Sequence, residues 1–365
     1  MKNKNCIGLL TILLTGTLLV QTACKKSGTD TPAGFTSVTN SGGGALSQER
    51  SEIAAAADDH RLFFAGGTNT SGNFSKVVDI YDVDKESWTT ASLSEARTEL
   101  SAGANSKAIL FCGGLITGNV SKTVDIFTIA TGTWNTTQLS EARKSPAVAA
   151  LNDLILVAGG VSLNGPSITV DIYNTTTATW SKTMLSEPRG YMAAASIDGK
   201  AFFAGGSTNG SNGSKTVDIY DSKTNTWSTA QLSTGRQLMA ATAANGKVFF
   251  AGGTNSDGDS KVVDIYDSKT NTWSTASLSQ ARIFLAAAAV GNKVLFAGGF
   301  NNITLKPSNI VDVYDTNTGK WSVMQLKEAR AFLAGAGAGN KIVFAGGSNL
   351  SGSIAANQVD IFTLR

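Results

Sequence analysis

The sequence has few of the side chains on which metal or nucleophilic chemistry depends. Its 365 residues include one histidine and three cysteines, and only 16% of them are charged. We therefore expect no metal and no cofactor. The net charge is +3, of which Lys2 and Lys4 supply two units, and so small a charge gives no reason to expect nucleic acid as a partner.

The first residues are typical of an export signal. Lys2 and Lys4 precede an apolar run over residues 7–20, which is too short to cross a bilayer comfortably. The next four residues, ending in Cys24, resemble a bacterial lipoprotein signal, in which that cysteine is acylated and becomes the new N-terminus. Such signals prefer leucine where Gln21 stands, so secretion after cleavage nearby is the alternative.

Three parts of the chain are predicted: a signal peptide over residues 1–23, a flexible tether over 24–34 that follows the lipidated cysteine, and a folded body over 35–365. We expect an exported protein of the bacterial cell envelope, periplasmic or at the outer-membrane surface, with the lipid on Cys24 as its membrane contact. Cys112 is the one cysteine of the body, so no disulfide can form within it.

A double glycine recurs along the chain at intervals of 46 to 48 residues. Each one ends an apolar run and precedes a polar loop, a Val-Asp-Ile-Tyr-like segment, a tryptophan in most repeats, and a Leu-Ser-Glu-Ala-Arg-like turn. The double glycines are Gly66-Gly67, Gly113-Gly114, Gly159-Gly160, Gly205-Gly206, Gly252-Gly253, Gly298-Gly299 and Gly346-Gly347.

Turn residues divide each repeat into four short strands, of which the first is rich in alanine. Small side chains suit strands that crowd around a central axis. The repeats resemble those of kelch β-propellers, whereas WD-repeat propellers have Trp-Asp dipeptides and a shorter period. The resemblance covers Phe35 to Arg365 and implies an all-β fold, a seven-bladed β-propeller of four-stranded kelch blades.

The two ends of the chain predict how the ring closes. The last repeat stops at Phe362 and has no tryptophan strand, while residues 39–48 align with the missing piece. We therefore expect an N-terminal strand to complete the C-terminal blade, with Ser41 where the tryptophan would be. Closure matters because an open ring leaves unpaired strand edges.

Arginine and aspartate each recur once per repeat. A residue present in every repeat most simply serves the blade, so we expect structural roles for both; the alternative for the arginines is an anion-binding ring. A glutamate stands two residues before four of the arginines as an expected partner: Glu95, Glu141, Glu187 and Glu328. The arginines are Arg50, Arg97, Arg143, Arg189, Arg236, Arg282 and Arg330, and the aspartates are Asp79, Asp125, Asp171, Asp218, Asp264, Asp312 and Asp360.

Loops alternate between the two faces of a four-stranded meander. The arginine turns and the loops after the double glycines therefore share one face, which we call the Arg face, and variable loops on a uniform scaffold commonly bind ligands. In the kelch propellers that this chain resembles, the position two residues past the arginine lies near the mouth of the central channel on the ligand-binding face. Here that position is occupied by Glu52, Glu99, Ser145, Tyr191, Leu238, Phe284 and Phe332.

The resemblance also places the residue after each double glycine near the mouth, and Leu115, Val161 and Phe300 stand there. Together these positions predict a mouth that is apolar on one arc and acidic on the other, suited to stacking a sugar ring or gripping an extended peptide. The alternative is that the side chains plug the channel. The expected ligand-binding residues are Tyr191, Leu238, Phe284, Phe300, Phe332, Glu52 and Glu99.

These observations favour a binding module for a protein or glycan ligand on the Arg face, without catalytic residues. The alternative is a carbohydrate-active enzyme, since kelch propellers include a copper-dependent sugar oxidase and a sialic acid isomerase. Glu52 and Glu99 would then form an acid–base pair. His60 cannot supply the two imidazoles of such a copper site, and we expect it in a solvated turn on the opposite face. We expect Cys112 to be a buried thiol and residues 257–259 to be a polar turn.

Overall fold

The computed structural model describes residues 34–210, 212–349 and 355–365, and none of these lies in an α-helix. They form seven antiparallel sheets of four strands and four short two-stranded hairpins. The predicted signal peptide, Cys24 and the tether up to residue 33 lie outside the described residues. Within the described part of the chain, no helix could span a membrane.

Each four-stranded sheet is one blade, and its strands are named a to d from the centre of the ring outwards. Strands a are Ala54–Ala57, Ser101–Ala104, Ala147–Leu151, Ala193–Ile197, Ala240–Ala244, Ala286–Val290 and Ala334–Ala338. Strands b are Arg61–Ala65, Ala108–Cys112, Leu154–Ala158, Lys200–Ala204, Lys247–Ala251, Lys293–Ala297 and Lys341–Ala345. Strands c are Val77–Asp82, Thr123–Thr128, Thr169–Asn174, Thr216–Asp221, Val262–Asp267, Ile310–Asp315 and Val359–Leu364. Strands d are Ser87–Ser92, Thr133–Gln138, Thr179–Met184, Thr226–Gln231, Thr272–Ser277, Lys320–Gln325 and, in blade 7, Val38–Asn40.

Short hairpins follow the double glycines of blades 2, 3, 5 and 6. Their paired strands are Leu115–Ile116 with Asn119–Val120, Val161–Ser162 with Gly165–Pro166, Thr254–Asn255 with Gly258–Asp259, and Phe300–Asn301 with Lys306–Pro307. All four hairpins project from the Arg face, because strand b ends there.

Apolar packing between neighbouring blades forms the core. In the described residues the buried apolar side chains fall into seven clusters, and each cluster combines two neighbouring blades. Phe64 and Tyr81 of blade 1, for example, share a cluster with Ala336 and Val343 of blade 7. The predicted all-β, seven-bladed propeller is therefore confirmed, and its ring is closed.

Strands a are built from small residues because they lie side by side around the axis. Gly337 illustrates the constraint: a Cβ atom there would lie 2.6 Å from Cγ2 of Val290 and 2.9 Å from the carbonyl oxygen of Ala289, both in the neighbouring blade. Real Cβ atoms do not approach that closely without something moving, so a larger residue at this position would push blades 6 and 7 apart.

The predicted closure of the ring by an N-terminal strand is confirmed, but its register differs from the expectation. Asn40, not Ser41, lies opposite Phe362, at the place where tryptophan lies opposite the aromatic residue in the other blades. The amide of Ser41 donates to the carbonyl of Ile361 at 2.8 Å, and the amide of Ile361 donates to the carbonyl of Gly42 at 2.9 Å. Ser41 and Gly42 therefore both lie opposite Ile361. This β-bulge shifts the N-terminal strand by one residue from the expected register.

Each repeat arginine is completely buried and bonds to its own blade. In blade 1, Nη2 of Arg50 donates to the carboxylate of Asp79, and Nη1 donates to the carbonyls of Gly66 at 2.6 Å and Val77 at 2.9 Å. The same ion pair recurs as Arg97–Asp125, Arg143–Asp171, Arg189–Asp218, Arg236–Asp264, Arg282–Asp312 and Arg330–Asp360.

The backbone of the same arginine bonds to the preceding blade. The amide of Gly67 in blade 1 donates to the carbonyl of Arg97 at 2.8 Å, while the side chain of Arg97 belongs to blade 2. The amide of Gly347 in blade 7 donates to the carbonyl of Arg50 at 2.9 Å, which completes the circle. Each arginine therefore joins two blades, and this contact is called the arginine clamp below.

The clamp settles the two alternatives for the arginines. An anion-binding ring is wrong, because all seven side chains are 0% exposed. The aspartates of strand c make the shorter contact with each guanidinium. Two of the four expected glutamate partners lie within ion-pair distance of Nε: Glu95 at 3.8 Å from Arg97 and Glu187 at 3.6 Å from Arg189. Glu95 also accepts a hydrogen bond from the hydroxyl of Ser121.

Replacing the aspartate of one clamp should destabilise the protein strongly. Burial lowers the pKa of Arg236, and Asp264 opposes this shift, so Asp264→Ala leaves a buried cation without its counter-ion. We expect the free energy of unfolding to fall by about 3–5 kcal/mol, measured by urea denaturation followed through tryptophan fluorescence. Asp257→Ala, in the exposed hairpin turn of the same blade, is the control, with an expected change of less than about 0.5 kcal/mol. Equal effects of the two substitutions would contradict the clamp.

Candidate functional site

A ring of seven residues with left-handed backbone lies between the arginine clamps and strands a. Each member stands two residues past its arginine, and its φ angle lies between 45° and 58°. Left-handed backbone is unfavourable for residues with a side chain, and especially for bulky ones. The members of this set, called the mouth ring, are Glu52, Glu99, Ser145, Tyr191, Leu238, Phe284 and Phe332.

Neighbouring members of the mouth ring bond to each other through the backbone. The amide of Glu52 donates to the carbonyl of Phe332 at 3.0 Å, and the amide of Phe332 donates to the carbonyl of Phe284 at 3.1 Å. The amide of Ser145 likewise donates to the carbonyl of Glu99 at 2.8 Å. These bonds bring residues of consecutive blades together at the axis of the propeller.

All seven members of the mouth ring line one cavity of about 370 Å³. The remaining lining residues are Ile53, Leu100, Ser101, Pro146, Met192, Met239 and Leu285, most of which directly follow a ring member in the chain. The structure therefore brings together, around one cavity, the seven positions that were predicted to lie near the channel mouth.

The apolar arc of the cavity contains a stacked pair of aromatic rings. The ring centroids of Phe284 and Phe332 are 4.0 Å apart, with 30° between the ring planes. Leu238 and Tyr191 continue the arc through blades 5 and 4. These four side chains are half-buried, so part of their apolar surface faces the cavity.

The acidic arc contains two carboxylates in different surroundings. One oxygen of Glu52 accepts hydrogen bonds from the hydroxyls of Thr98 at 3.0 Å and Thr68 at 3.3 Å. Glu99 instead accepts from Nζ of Lys144 at 3.1 Å and from the hydroxyl of Ser145 at 2.9 Å. Burial acts to lower the pKa of Lys144, but the hydrogen bond and the charge of Glu99 raise it overall.

Phe300 lies outside the cavity lining, as do the equivalent Leu115 and Val161. Phe300 exchanges backbone hydrogen bonds of 2.8 and 2.9 Å with Ile283, the residue before Phe284. The backbone of this residue after the double glycine therefore bonds to the residue that precedes a member of the mouth ring. The prediction that Phe300 lies close to the mouth is correct, but its side chain does not line the cavity.

The remaining candidates from the sequence lie away from the cavity. Nδ1 of His60 lies 2.7 Å from a carboxylate oxygen of Asp84 in an exposed turn on the opposite face. Cys112 is a buried thiol, as expected, and burial raises its pKa to about 12. Asp259 accepts hydrogen bonds from the amide and side chain of Asn302 in the neighbouring hairpin. Among the described residues, no three histidines, cysteines or acidic residues are grouped to hold a metal.

Sequence reasoning missed two features of this face. Thr68, Thr98 and Lys144 were not recognised as partners of the ring carboxylates, although two of them stand between an arginine and a ring member. The exposed apolar side chains at the hairpin tips were also missed, because isolated apolar residues in loops carry no pattern. They are Leu163, Ile303 and Leu305, with 75%, 83% and 67% of their surface exposed.

Comparisons with known proteins agree with this architecture. A family model described as "KLHDC2/KLHL20/DRC7 Kelch-repeats domain" matches residues 101–281, and a model described as "Kelch motif" matches residues 49–92 and 281–325. A solved structure titled "Structure of YjhT" is 15% identical, with a TM-score of 0.58 over 88% of this chain and 99% of that chain. This likeness concerns the fold alone. No protein of curated function matches the sequence.

Glycine should be better tolerated than alanine in the mouth ring. Phe284→Gly and Phe284→Ala lose the same aromatic contact, but glycine removes the cost of the left-handed backbone. We expect the glycine variant to be more stable by about 1 kcal/mol, measured by thermal and urea unfolding. Phe300 is the control, since its φ angle is not positive. At Phe300 the glycine variant should be less stable than the alanine variant by about 0.5–1 kcal/mol. If the glycine variant were the more stable, or the less stable, at both positions, backbone strain in the mouth ring would be contradicted.

Proposed function

The chain belongs to the kelch-repeat family, and from that premise we propose that it is a binding module whose ligand enters the cavity at the channel mouth on the Arg face. One observation carries the proposal: a cavity at the centre of this face is lined by an aromatic arc on one side and carboxylates on the other. Concave sites with apolar walls and a few converging polar groups are the usual form of ligand sites.

The choice of residues in the mouth ring supports a role beyond the fold. Glycine adopts left-handed backbone without cost, and the chain uses it freely, with 39 glycines that include every double glycine. Yet none of the seven ring positions is glycine, and two carry phenylalanine despite the strain. Strained residues of this kind cluster at functional sites. A protein or carbohydrate ligand that packs on the phenylalanine pair would account for the choice.

The surroundings of the carboxylates favour binding over catalysis. An acid–base pair needs carboxylates that can exchange protons with a substrate. Glu99 is engaged by Lys144 and Ser145, and Glu52 by two threonine hydroxyls, so both are held as fixed hydrogen-bond acceptors. A carbohydrate-active enzyme remains the second candidate from the sequence, but no contact in the cavity favours it.

The position of the propeller's first residues suits display on a membrane. Nδ2 of Asn292, in a tight turn on the face opposite the Arg face, donates to the carbonyl of Phe35 at 3.1 Å. The chain thus enters the propeller on the face away from the cavity. We propose an exported, envelope-anchored protein, attached through Cys24.

The double variant Phe284→Gly/Phe332→Gly should lose ligand binding while keeping its fold. The substitutions remove the apolar surface of the cavity and relieve strain, so near-unchanged circular dichroism should accompany the loss. The measurement is retention of envelope components on immobilised propeller, together with binding to a glycan array.

The matched control is Val323→Ala, which truncates an apolar side chain on the outer edge of blade 6, 54% exposed and far from the cavity. Ligands retained by the wild type and by this control, but not by the double variant, would support the proposed site. Equal retention by all three proteins would refute it.

Cys24→Ser should release the protein from the membrane. If Cys24 carries the lipid, the serine variant moves from the membrane fraction to the soluble fraction and loses incorporation of labelled palmitate. Cys6→Ser, within the predicted signal peptide, should leave both readouts unchanged. A wild-type protein that is already soluble and unlabelled would establish secretion instead.

A further inference from the structure

The cavity at the channel mouth has an excess of negative charge. Its charged lining residues are Glu52 and Glu99. Lys144 balances Glu99 at 3.1 Å. Glu52 differs, because no cationic nitrogen of the described residues lies within ion-pair distance of its carboxylate, and threonine hydroxyls engage only one of its two oxygens. A half-buried carboxylate without a counter-ion attracts a cation more strongly than one in free solution.

Glu52 is also the acidic member of the ring that adjoins the aromatic pair. Its amide bonds to the carbonyl of Phe332, whose ring stacks on that of Phe284. Glu52, Phe284 and Phe332 line the same cavity, so a cation bound to Glu52 would share that cavity with the aromatic pair. Carboxylate and aromatic faces together favour ammonium and guanidinium groups, because the ring quadrupole adds to the attraction of the charge.

The rim of the Arg face favours a protein as the source of that cation. Three of the five most exposed large apolar side chains of the described residues are hairpin tips on this face, namely Leu163, Ile303 and Leu305. The blade 6 hairpin that carries two of them is fixed to blade 5 by the bonds from Asn302 to Asp259. Exposed apolar tips on the same face as a charged cavity suit the surface of a protein partner better than a single sugar.

We infer that the ligand is a protein that inserts a lysine or arginine side chain into the cavity, with its cationic group at Glu52 beside Phe284 and Phe332. The inference rests on the proposed binding function of the mouth. A cavity of about 370 Å³ accommodates one long side chain and the backbone that carries it. The apolar tips then contact the residues that flank the inserted side chain.

Methionine methyl groups make the inference testable without a known partner. Met192 and Met239 line the cavity, whereas Met184 and Met324 lie on outer strands. The probes are capped heptapeptides, identical except for a central lysine, arginine, norleucine or glutamate, and their binding is followed by NMR of methyl-labelled methionine. We expect the methyl signals of Met192 and Met239 to shift and those of Met184 and Met324 to stay. The lysine and arginine probes should bind about tenfold more tightly than the norleucine probe.

Glu52→Gln should abolish the preference for the lysine and arginine probes over the norleucine probe, because it removes the negative charge and keeps the shape of the side chain. The matched control is Glu49→Gln, which removes the same charge three residues earlier on an exposed side chain outside the cavity, and it should keep the preference. A second titration compares glucosamine with glucose. If glucosamine bound more tightly than the lysine peptide, the inference that the cation comes from a protein would be overturned.

The remaining outcomes separate this inference from the proposed function. Equal binding of the lysine and norleucine probes at Met192 and Met239 would overturn the cation while keeping the cavity as a binding site. If no probe shifted the methyl signals of Met192 and Met239, the inference that a side chain enters the cavity would be overturned. The proposed function itself fails only if Phe284→Gly/Phe332→Gly retains every ligand of the wild type.

Discussion

The arginine clamp is the contact on which the rest of the propeller depends. Its guanidinium holds strands b and c of one blade, and its carbonyl accepts from the double glycine of the blade before, as Arg97 does for Gly67. A buried ion pair gains little if its polar atoms are unsatisfied. Here Nη1 and Nη2 of the guanidinium are matched by backbone carbonyls and by aspartate, whereas Nε of all seven arginines is buried without a hydrogen-bond partner among the described residues. The clamp recurs at each of the seven junctions between blades and sets the distance between them all round the ring.

The clamp also explains why a strained ring surrounds the channel. The arginine backbone is fixed by the preceding blade, and strand a must start only a few residues later in the next blade. The chain reverses at the position two residues past the arginine, and left-handed backbone makes the reversal possible. Fold and site are therefore linked by geometry: the same turn that joins the blades directs one side chain per blade toward the axis, and those seven side chains are of five types.

The residues that hold the blades together and those proposed to bind a ligand are separate sets. The repeated residues, such as Asp79 and Arg50, are buried and hold the blades, whereas the residues that vary lie at the mouth or at hairpin tips. Blade 7 differs from the other six blades because its strand d has only three residues and is followed by a bulge. The clamp between Gly347 and Arg50 and the apolar cluster between blades 7 and 1 supplement this short strand.

The sequence alone determined the number of repeats and their four-strand pattern, because both depend on residues that recur at a regular spacing, while the resemblance to kelch propellers indicated which repeat position lies at the channel mouth. It did not determine that arginine pairs with aspartate, since those partners are about 28 to 30 residues apart and meet only when a blade folds. It also could not distinguish Glu52 from Glu99. Their difference arises from Lys144, which is 45 residues from Glu99 and comes close only when blade 3 docks on blade 2. Local patterns specify strands, but which charges face each other is decided by how the blades pack.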